Sequence, residues 1–191
     1  QALSALLFLY RVVLERELEG LDAAVRASAP RNLPVVLSRD EVRRVLEQLA
    51  GVHRLVATLL YGSGLRLLDA LRLRVKDLDP DRRQLLVRDG KGGRDRRCPL
   101  PDRARSGLER QLERVHALHL RDREQGIGPW LPDAFDRKQP QAQLEWGWYW
   151  VFPALRAGVV PRSGAQFRNH LHETALQRAF VAHDATQCGY C

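Results

Sequence analysis

The sequence predicts an α+β protein that is mainly helical and carries a small antiparallel β-sheet. The first observation is helical periodicity, because apolar residues recur at spacings of three and four along several segments. The second is a hairpin signal, Asp89-Gly90-Lys91-Gly92-Gly93, between two short segments suited to strands. With 191 residues, 45% of them hydrophobic, the chain is large enough to bury a core.

The elements can be followed from the first residue. Residues 1–19 predict an amphipathic helix, and the basic, proline-marked residues 29–34 predict a linker. Ser38 and Glu41 have the spacing of a capping box, which predicts the start of a helix that continues through Leu49.

The middle of the chain predicts both helices and strands. Residues 53–61 continue helically to the turn Gly62-Ser63-Gly64, and a further helix is expected over about residues 65–73. Residues 84–88 and 95–100 flank the hairpin signal and are expected to be its two strands.

The second half begins with a long amphipathic helix, expected over residues 102–124. Residues 126–140 are loop-like. Residues 146–152 are rich in aromatic side chains, which favour strands, so an extended segment is expected there. A last helix is expected from Pro161 through about Ala182.

Charge and composition limit the classes of partner and compartment. A formal charge of +8 and a pI of about 10.1 favour a polyanion, either nucleic acid or an anionic membrane surface. There is no stretch of about 18 apolar residues, so no membrane span is predicted. Cys98, Cys188 and Cys191 do not form a disulfide framework, which favours a reducing, cytoplasmic location. The chain starts at Gln1 and contains no Met, and we expect that it is trimmed at both ends.

Three segments together resemble the tyrosine recombinase (phage integrase) superfamily. Residues 59–73, with Gly64-Leu65-Arg66, resemble the family's first box, in which an arginine is placed at the scissile phosphate. Residues 75–79 resemble the lead into a β-hairpin, and residues 90–96 resemble the hairpin that presents the catalytic lysine. The predicted fold is therefore part of a tyrosine-recombinase catalytic domain, from a bacterial protein.

Further segments resemble the integron integrases within that superfamily. Residues 145–153 and 161–173 are similar to the extra segment of that subfamily, and residues 1–25 to the last helix of a core-binding domain. The resemblance implies a core-binding helix and linker over residues 1–29 and the N-terminal part of the catalytic domain over residues 30–191. The subfamily insertion is then expected at about residues 126–182.

The resemblance assigns catalytic roles to three residues. Arg66 would clamp the scissile phosphate through two parallel N–H donors, although a surface arginine at a helix start is the alternative. Asp69 would orient Arg66, or would form an ordinary pair across one helical turn. Lys91 would protonate the leaving 5′ oxygen as a general acid.

Other residues are candidates for contacts with DNA. Trp146, Trp148 and Trp150 alternate along the expected strand, where they would stack on unpaired bases or pack into a core. The remaining candidates are phosphate-binding or base-binding residues, with solvated or structural roles as the alternatives: Arg94, Arg96, Arg162, Arg168, His170 and His172.

The chain lacks two features that the resemblance implies. Neither the second His-x-x-Arg box nor the nucleophilic tyrosine is present, and Tyr190 precedes the place where that box would begin. We therefore expect a DNA-binding but inactive fragment. No metal or cofactor is expected, although His172, His183, Cys188 and Cys191 are an alternative zinc set.

The sequence thus favours site-specific DNA recombination by an intact parent that cuts and rejoins strands through a 3′-phosphotyrosine. The expected partners are duplex DNA and folded single-stranded recombination sites, with a homo-tetramer on DNA and no membrane. A non-catalytic DNA-binding module of the same fold is the alternative, and a basic helical scaffold for proteins is a third reading.

Overall fold

The computed structural model describes residues 2–16, 36–88, 90, 92–131, 135–160 and 164–182. The chain divides into two compact units, Gln1–Pro34 and Val35–Cys191. In the first unit, α1 spans Ala2–Phe8 and continues as a π-helical turn over Leu9–Val13. The helix predicted over residues 1–19 is therefore present but ends at Val13, since residues 14–16 are not helical. The predicted linker lies outside the described residues.

The second unit opens with the predicted capping box. Ser38 Oγ accepts a hydrogen bond from the Glu41 backbone N–H at 3.3 Å, and the Ser38 N–H donates to the Glu41 carboxylate at 2.7 Å. Two N–H groups that lack helical partners are satisfied in this way. The helix α2 follows over Arg39–Gln48, as expected.

Two helices meet at a glycine turn. The helix α3 spans Gly51–Ser63 and ends at Gly64, whose φ of +61° lies in the left-handed region that favours glycine. The helix α4 spans only Leu67–Leu71, which is shorter than predicted, because Arg66 takes the extended backbone of an N-cap residue. Arg66 therefore projects from the junction of α3 and α4.

The first sheet is antiparallel, with the strand order β1-β2-β3. The strands are β1 over Leu78–Asp79, β2 over Gln84–Val87 and β3 over Arg96–Pro99. Pairing of β2 with β3 confirms the predicted hairpin, and β1 adds a strand that was not predicted.

The long helix α5 spans Asp102–Glu124. It runs antiparallel to α3, because the end of α3 at Gly62 lies beside Pro101 and the earlier Leu55 lies beside Gly107. Gly62 allows the two helices to approach closely, because a Cβ built there would lie 2.7 Å from the Pro101 side chain. The main core joins α3, α4, α5, the first sheet and a later segment at Val151 and Phe152. Burial of these apolar side chains is the dominant favourable term in folding.

A second, mixed sheet follows α5. Its strands are β4 over Gly128–Pro129, β5 over Gly158–Val159 and β6 over Gln166–Arg168, and β6 pairs parallel with β4 and antiparallel with β5. The short helix α6, Phe135–Lys138, lies in the segment predicted as a loop.

The expected last helix was wrong in its first half. Residues 166–168 form β6, and α7 begins only at Glu173 and spans Glu173–Ala182. Arg168 and His170 are therefore not on a helix, and His172 immediately precedes α7. The side chain of His172 accepts from the Thr174 N–H at 3.3 Å, so it helps to satisfy the helix start.

The expected strand over residues 146–152 was also wrong. Pro140–Leu144 and Trp146–Trp148 form 3₁₀ turns, and Trp150 makes a single bridge to Arg74. Tertiary packing overrides the strand propensity of the aromatic residues here. The three tryptophans therefore do not share one face.

A buried ion pair fixes the region after α5. Asp122 on α5 accepts from Arg168 Nε at 2.7 Å and Nη2 at 2.6 Å, and also from the Tyr149 hydroxyl. Arg168 Nη1 donates to the carbonyls of Ala154 and Leu155, both at 3.1 Å. Burial, with Asp122 as acceptor, raises the pKa of Tyr149, and the bonds to Asp122 raise the pKa of Arg168.

Among the described residues, no helix has the length and the apolar character that a membrane crossing requires.

Removal of the Asp122 carboxylate is expected to destabilise the protein strongly. Asp122→Ala leaves the Arg168 cation buried without its anionic partner, which costs about 3–5 kcal/mol of unfolding free energy. Urea unfolding followed by circular dichroism measures this loss. The matched control is Glu124→Ala on the same helix, an exposed position expected to change stability by less than about 0.5 kcal/mol. Equal losses for the two variants would contradict the assignment.

Candidate nucleic-acid interface

Two arginines share one carboxylate at the junction of α3, α4 and β3. Asp69 Oδ2 lies 2.8 Å from Arg96 Nη2 and 3.6 Å from Arg66 Nη1. Asp69 is mostly buried, whereas the side chain of Arg66 is half-exposed. Each guanidinium therefore keeps N–H groups that are not used by Asp69. We call Arg66 and Arg96 the arginine pair, and Asp69 supplies the carboxylate that they share.

The local sequence explains why these side chains meet. The turn at Gly64 places Arg66 at the N-cap, and one helical turn brings Asp69 beneath it. The strand β3 brings Arg96, whose Nη2 also approaches the Gly64 carbonyl at 3.4 Å. The positive end of the helix dipole repels a cation at the helix N-terminus, and the Asp69 carboxylate offsets that repulsion. The cluster keeps a net positive charge and suits a phosphate anion.

A groove of about 670 Å³ adjoins this cluster, and Asp69 lines it as well. Basic and aromatic side chains dominate its lining. The basic residues are Arg72, Arg74, Lys76 and Arg88, and the aromatic residues are Trp130, Trp148, Trp150, Phe167 and His170. We call this the aromatic groove.

Arg74 forms the buried floor of the aromatic groove. Its Cζ lies 3.8 Å from the ring centroid of Trp150 and 5.3 Å from that of Trp148. Its Nη1 and Nη2 donate to the carbonyls of Trp148 and Trp130 at 2.6 and 2.7 Å. Burial lowers the pKa of Arg74 to about 10, so it stays charged at neutral pH. Arg74 thus holds the tryptophans in a fixed arrangement.

A lysine covers one aromatic face. Lys76 Nζ lies 2.7 Å from the ring centroid of Trp148, a cation–π contact. Burial, followed by repulsion from Arg88, lowers the pKa of Lys76 to about 8. Arg88 is itself held by the buried Asp77, which accepts from Arg88 Nε at 2.6 Å. The charge on this wall of the groove therefore changes around pH 8.

The outer wall of the groove is open. Trp130 is 55% exposed and packs edge-on against Phe167, with ring centroids 5.3 Å apart. His170 packs edge-on against the buried Trp150 at 5.4 Å. An exposed tryptophan beside a positive groove offers a surface on which a planar base can stack.

The structure brings together six of the residues that the sequence singled out. Arg66, Asp69 and Arg96 form the cluster, and Trp148, Trp150 and His170 line the adjoining groove. Arg94 is exposed on the β2–β3 connection. Lys91 and Arg162 lie outside the described residues.

Three other candidates are placed away from the groove. Trp146 packs against His116, with ring centroids 4.9 Å apart, and against His119 at 5.4 Å. Arg168 is buried, and its donors bond to Asp122 and to two carbonyls, which gives it a structural role. His172 is exposed and bonds to Thr174.

Sequence reasoning missed several residues of the groove: Arg72, Arg74, Lys76, Arg88, Trp130 and Phe167. A signal existed for Arg74 and Lys76, because they follow directly after the first-box segment and alternate with apolar residues. No signal marked Trp130, which lies in a segment that was interpreted as a loop. Within the described part of the chain, no group of three or more metal-binding side chains is found.

The comparisons with known proteins agree on the family. A model of the phage integrase family matches residues 35–180. The chain belongs to the phage integrase family, within the tyrosine recombinase superfamily. The mainly helical α+β fold predicted from the sequence is the fold observed.

Named relatives are similar over most of this chain. Two proteins named "Integrase/recombinase", from Escherichia coli and Pseudomonas aeruginosa, are 48% identical over 181 residues, covering 94% of this chain and 54% of each relative. The "Tyrosine recombinase XerA" of Thermococcus kodakarensis is 38% identical over 116 residues, which are 55% of this chain and 41% of the relative. The chain thus spans about half the length of the two integrase/recombinase relatives.

The crystal structure of XerA recombinase aligns with 98% of this chain and 53% of its own, with a TM-score of 0.47 and 19% sequence identity.

Competitive amine labelling tests the environment of Lys76. Its labelling rate is expected to rise with pH around a midpoint near 8, because burial and Arg88 disfavour the ammonium form. The chain has only three lysines, Lys76, Lys91 and Lys138, so mass spectrometry resolves each. The exposed Lys138 serves as the internal reference for the reagent. A Lys76 midpoint above about 10, the ordinary lysine range, would show that its surroundings are not those described.

Proposed function

We propose that this chain is the DNA-binding part of a site-specific recombinase of the integron integrase type. The observation that carries the proposal is the continuity of the arginine pair with the aromatic groove through Asp69. Guanidinium groups suit phosphate oxygens, and exposed aromatic rings suit unstacked bases. One continuous surface therefore suits a strand whose backbone and bases are both accessible.

The proposed roles combine the sequence resemblance with the positions of Arg66, Asp69 and Arg96. Arg66 binds the scissile phosphate, and Asp69 orients both Arg66 and Arg96. Transfer of a phosphoryl group depends mainly on positioning and on stabilisation of charge at the phosphate oxygens, which two arginines provide. Lys91, on the connection after β2, is proposed to donate the proton to the leaving 5′ oxygen.

The whole protein is proposed to cut and rejoin DNA through a 3′-phosphotyrosine, as a homo-tetramer on DNA. The family membership and the relatives named "Integrase/recombinase" support this reaction class. Neither a metal nor a high-energy cofactor takes part in the proposed reaction, because the phosphotyrosine conserves the energy of the broken bond.

Folded single-stranded sites are the proposed preferred substrate. An extrahelical base has no stacking partners of its own. It therefore gives up less stacking and pairing energy on entering the groove than a base within a duplex does. Trp130, half-exposed at the outer wall, is placed to stack on it. Residues 126–182, proposed as the integron-type insertion, supply Trp130, Trp148, Trp150, Phe167 and His170.

Trp130→Ala is expected to reduce the preference for a hairpin with an unpaired base over the matching duplex. The expected loss is about 1–3 kcal/mol in hairpin binding, the typical value of one base–aromatic stack. Fluorescence anisotropy with both oligonucleotides measures the difference. The control is Tyr61→Ala, which removes a similarly exposed aromatic ring outside the groove. Equal binding of hairpin and duplex by the unmodified protein would contradict the proposed substrate.

Arg66→Gln is expected to weaken hairpin and duplex alike, because phosphate contacts carry no base information. The plot of log affinity against log salt should become less steep by about 0.9 for duplex DNA, the value for one lost phosphate contact. Arg82→Gln is the matched control, since Arg82 is a more exposed arginine that pairs with Asp79 away from the groove. An unchanged slope in Arg66→Gln would rule out its role as a phosphate clamp.

A further inference from the structure

A second basic feature lies between α3 and α5, away from the arginine pair. A cleft of about 440 Å³ is formed by the first two turns of α3 and one face of α5. Arg66 follows the opposite end of α3, and a helix of 13 residues is about 20 Å long. We call this the α3/α5 cleft, and its basic residues are Arg54, Arg103, Arg110 and Arg114.

The spacing along α5 creates a continuous basic line. Arg103, Arg110 and Arg114 are separated by seven and four residues, so they lie on one face of the helix over about 16 Å. Gly107 lies between them and faces Leu55 of α3, which lets the two helices approach closely. Arg54 on α3 adds a fourth guanidinium from the other wall.

Among the described residues, no ion pair with a carboxylate balances the positive charge of the cleft. All four arginines are exposed, and none of them forms an ion pair with a carboxylate among the residues that the structure describes. No acidic residue is found among the described residues that line the cleft. By contrast, Arg66, Arg88, Arg96 and Arg168 all have acidic partners. An anion that enters the cleft therefore meets four guanidinium groups whose charge no carboxylate of the lining offsets.

The rest of the lining indicates which anion fits. Thr58, Ser106 and Gln111 add polar groups, and Leu55 and Val52 are the apolar members. None of the lining residues that the structure describes is aromatic, so they offer neither base stacking nor an aromatic anchor for a peptide. Arginine forks bind phosphate oxygens through two parallel hydrogen bonds. The chemistry favours a run of phosphate groups over an acidic peptide.

We propose that the α3/α5 cleft binds the phosphodiester backbone of a nucleic-acid strand as a second contact track, separate from the arginine pair and the aromatic groove. The track recognises phosphates alone, so it is independent of sequence and applies to duplex and single-stranded segments alike. The proposal goes beyond the recombination site and does not depend on it. The α3 residues of this second DNA contact lie in the first two turns of that helix, whereas Arg66 follows its last turn.

The test compares two double variants of α5 with the same change in charge. Arg110→Gln with Arg114→Gln removes two cleft arginines, and Arg121→Gln with Arg123→Gln removes two exposed arginines outside the cleft. Binding of a labelled duplex is measured by anisotropy over a series of salt concentrations. The cleft variant should make the plot of log affinity against log salt less steep by about 1.8, the value for two phosphate contacts. The control variant should leave that steepness unchanged. Circular dichroism checks that both variants are folded.

Equal slopes for the two double variants would overturn the proposal, and an acidic protein as the true occupant of the cleft would give that same result. Arg66→Gln, measured in parallel, separates this proposal from the proposed function. If the arginine pair does not bind DNA, Arg66→Gln leaves the slope unchanged while the cleft variant still lowers it. If only the cleft proposal fails, Arg66→Gln lowers the slope and the cleft variant behaves like its control.

Discussion

The ion pair between Asp122 and Arg168 holds the walls of the aromatic groove in place. The Arg168 guanidinium fixes the turn at Ala154 and Leu155, and its backbone carbonyl accepts from Trp150 Nε1 at 2.9 Å and from the Trp130 N–H at 3.1 Å. A buried charge pair is stable only when its remaining donors and acceptors are satisfied, as they are here. The segment after α5 is thereby anchored to the long helix, although it has little regular structure.

Asp69 connects that groove to the first-box arginine. Its carboxylate accepts from Arg96 and pairs with Arg66, and it also lines the groove. Because both arginines keep free N–H groups, the carboxylate orients them without neutralising the cluster. We propose that a phosphate at the arginine pair and a base in the groove belong to one strand.

The sequence predicted the elements whose signals are local. The capping box at Ser38 and Glu41, the hairpin between β2 and β3, and α5 depend on short-range patterns, and all three were confirmed. The family motif singled out Arg66 and Asp69, which the structure pairs at 3.6 Å, and their roles stay predictions. The conformation of residues 146–152 was not predictable from propensity, because Trp146 and Trp150 pack against partners distant in sequence. Trp130 was missed because its place in the groove depends on its pairing beside β6.

The central claim is that the arginine pair and the aromatic groove form one DNA-binding surface. Photocrosslinking tests it most directly, with a hairpin that carries a single 4-thiothymidine at an unpaired position and mass spectrometry of the linked peptide. The account predicts that the crosslinked residue is an aromatic residue of the groove, Trp130 above all, and that excess unlabelled hairpin competes the crosslink away. A crosslink that maps only outside the groove, to α2 or to the α3/α5 cleft, would contradict it.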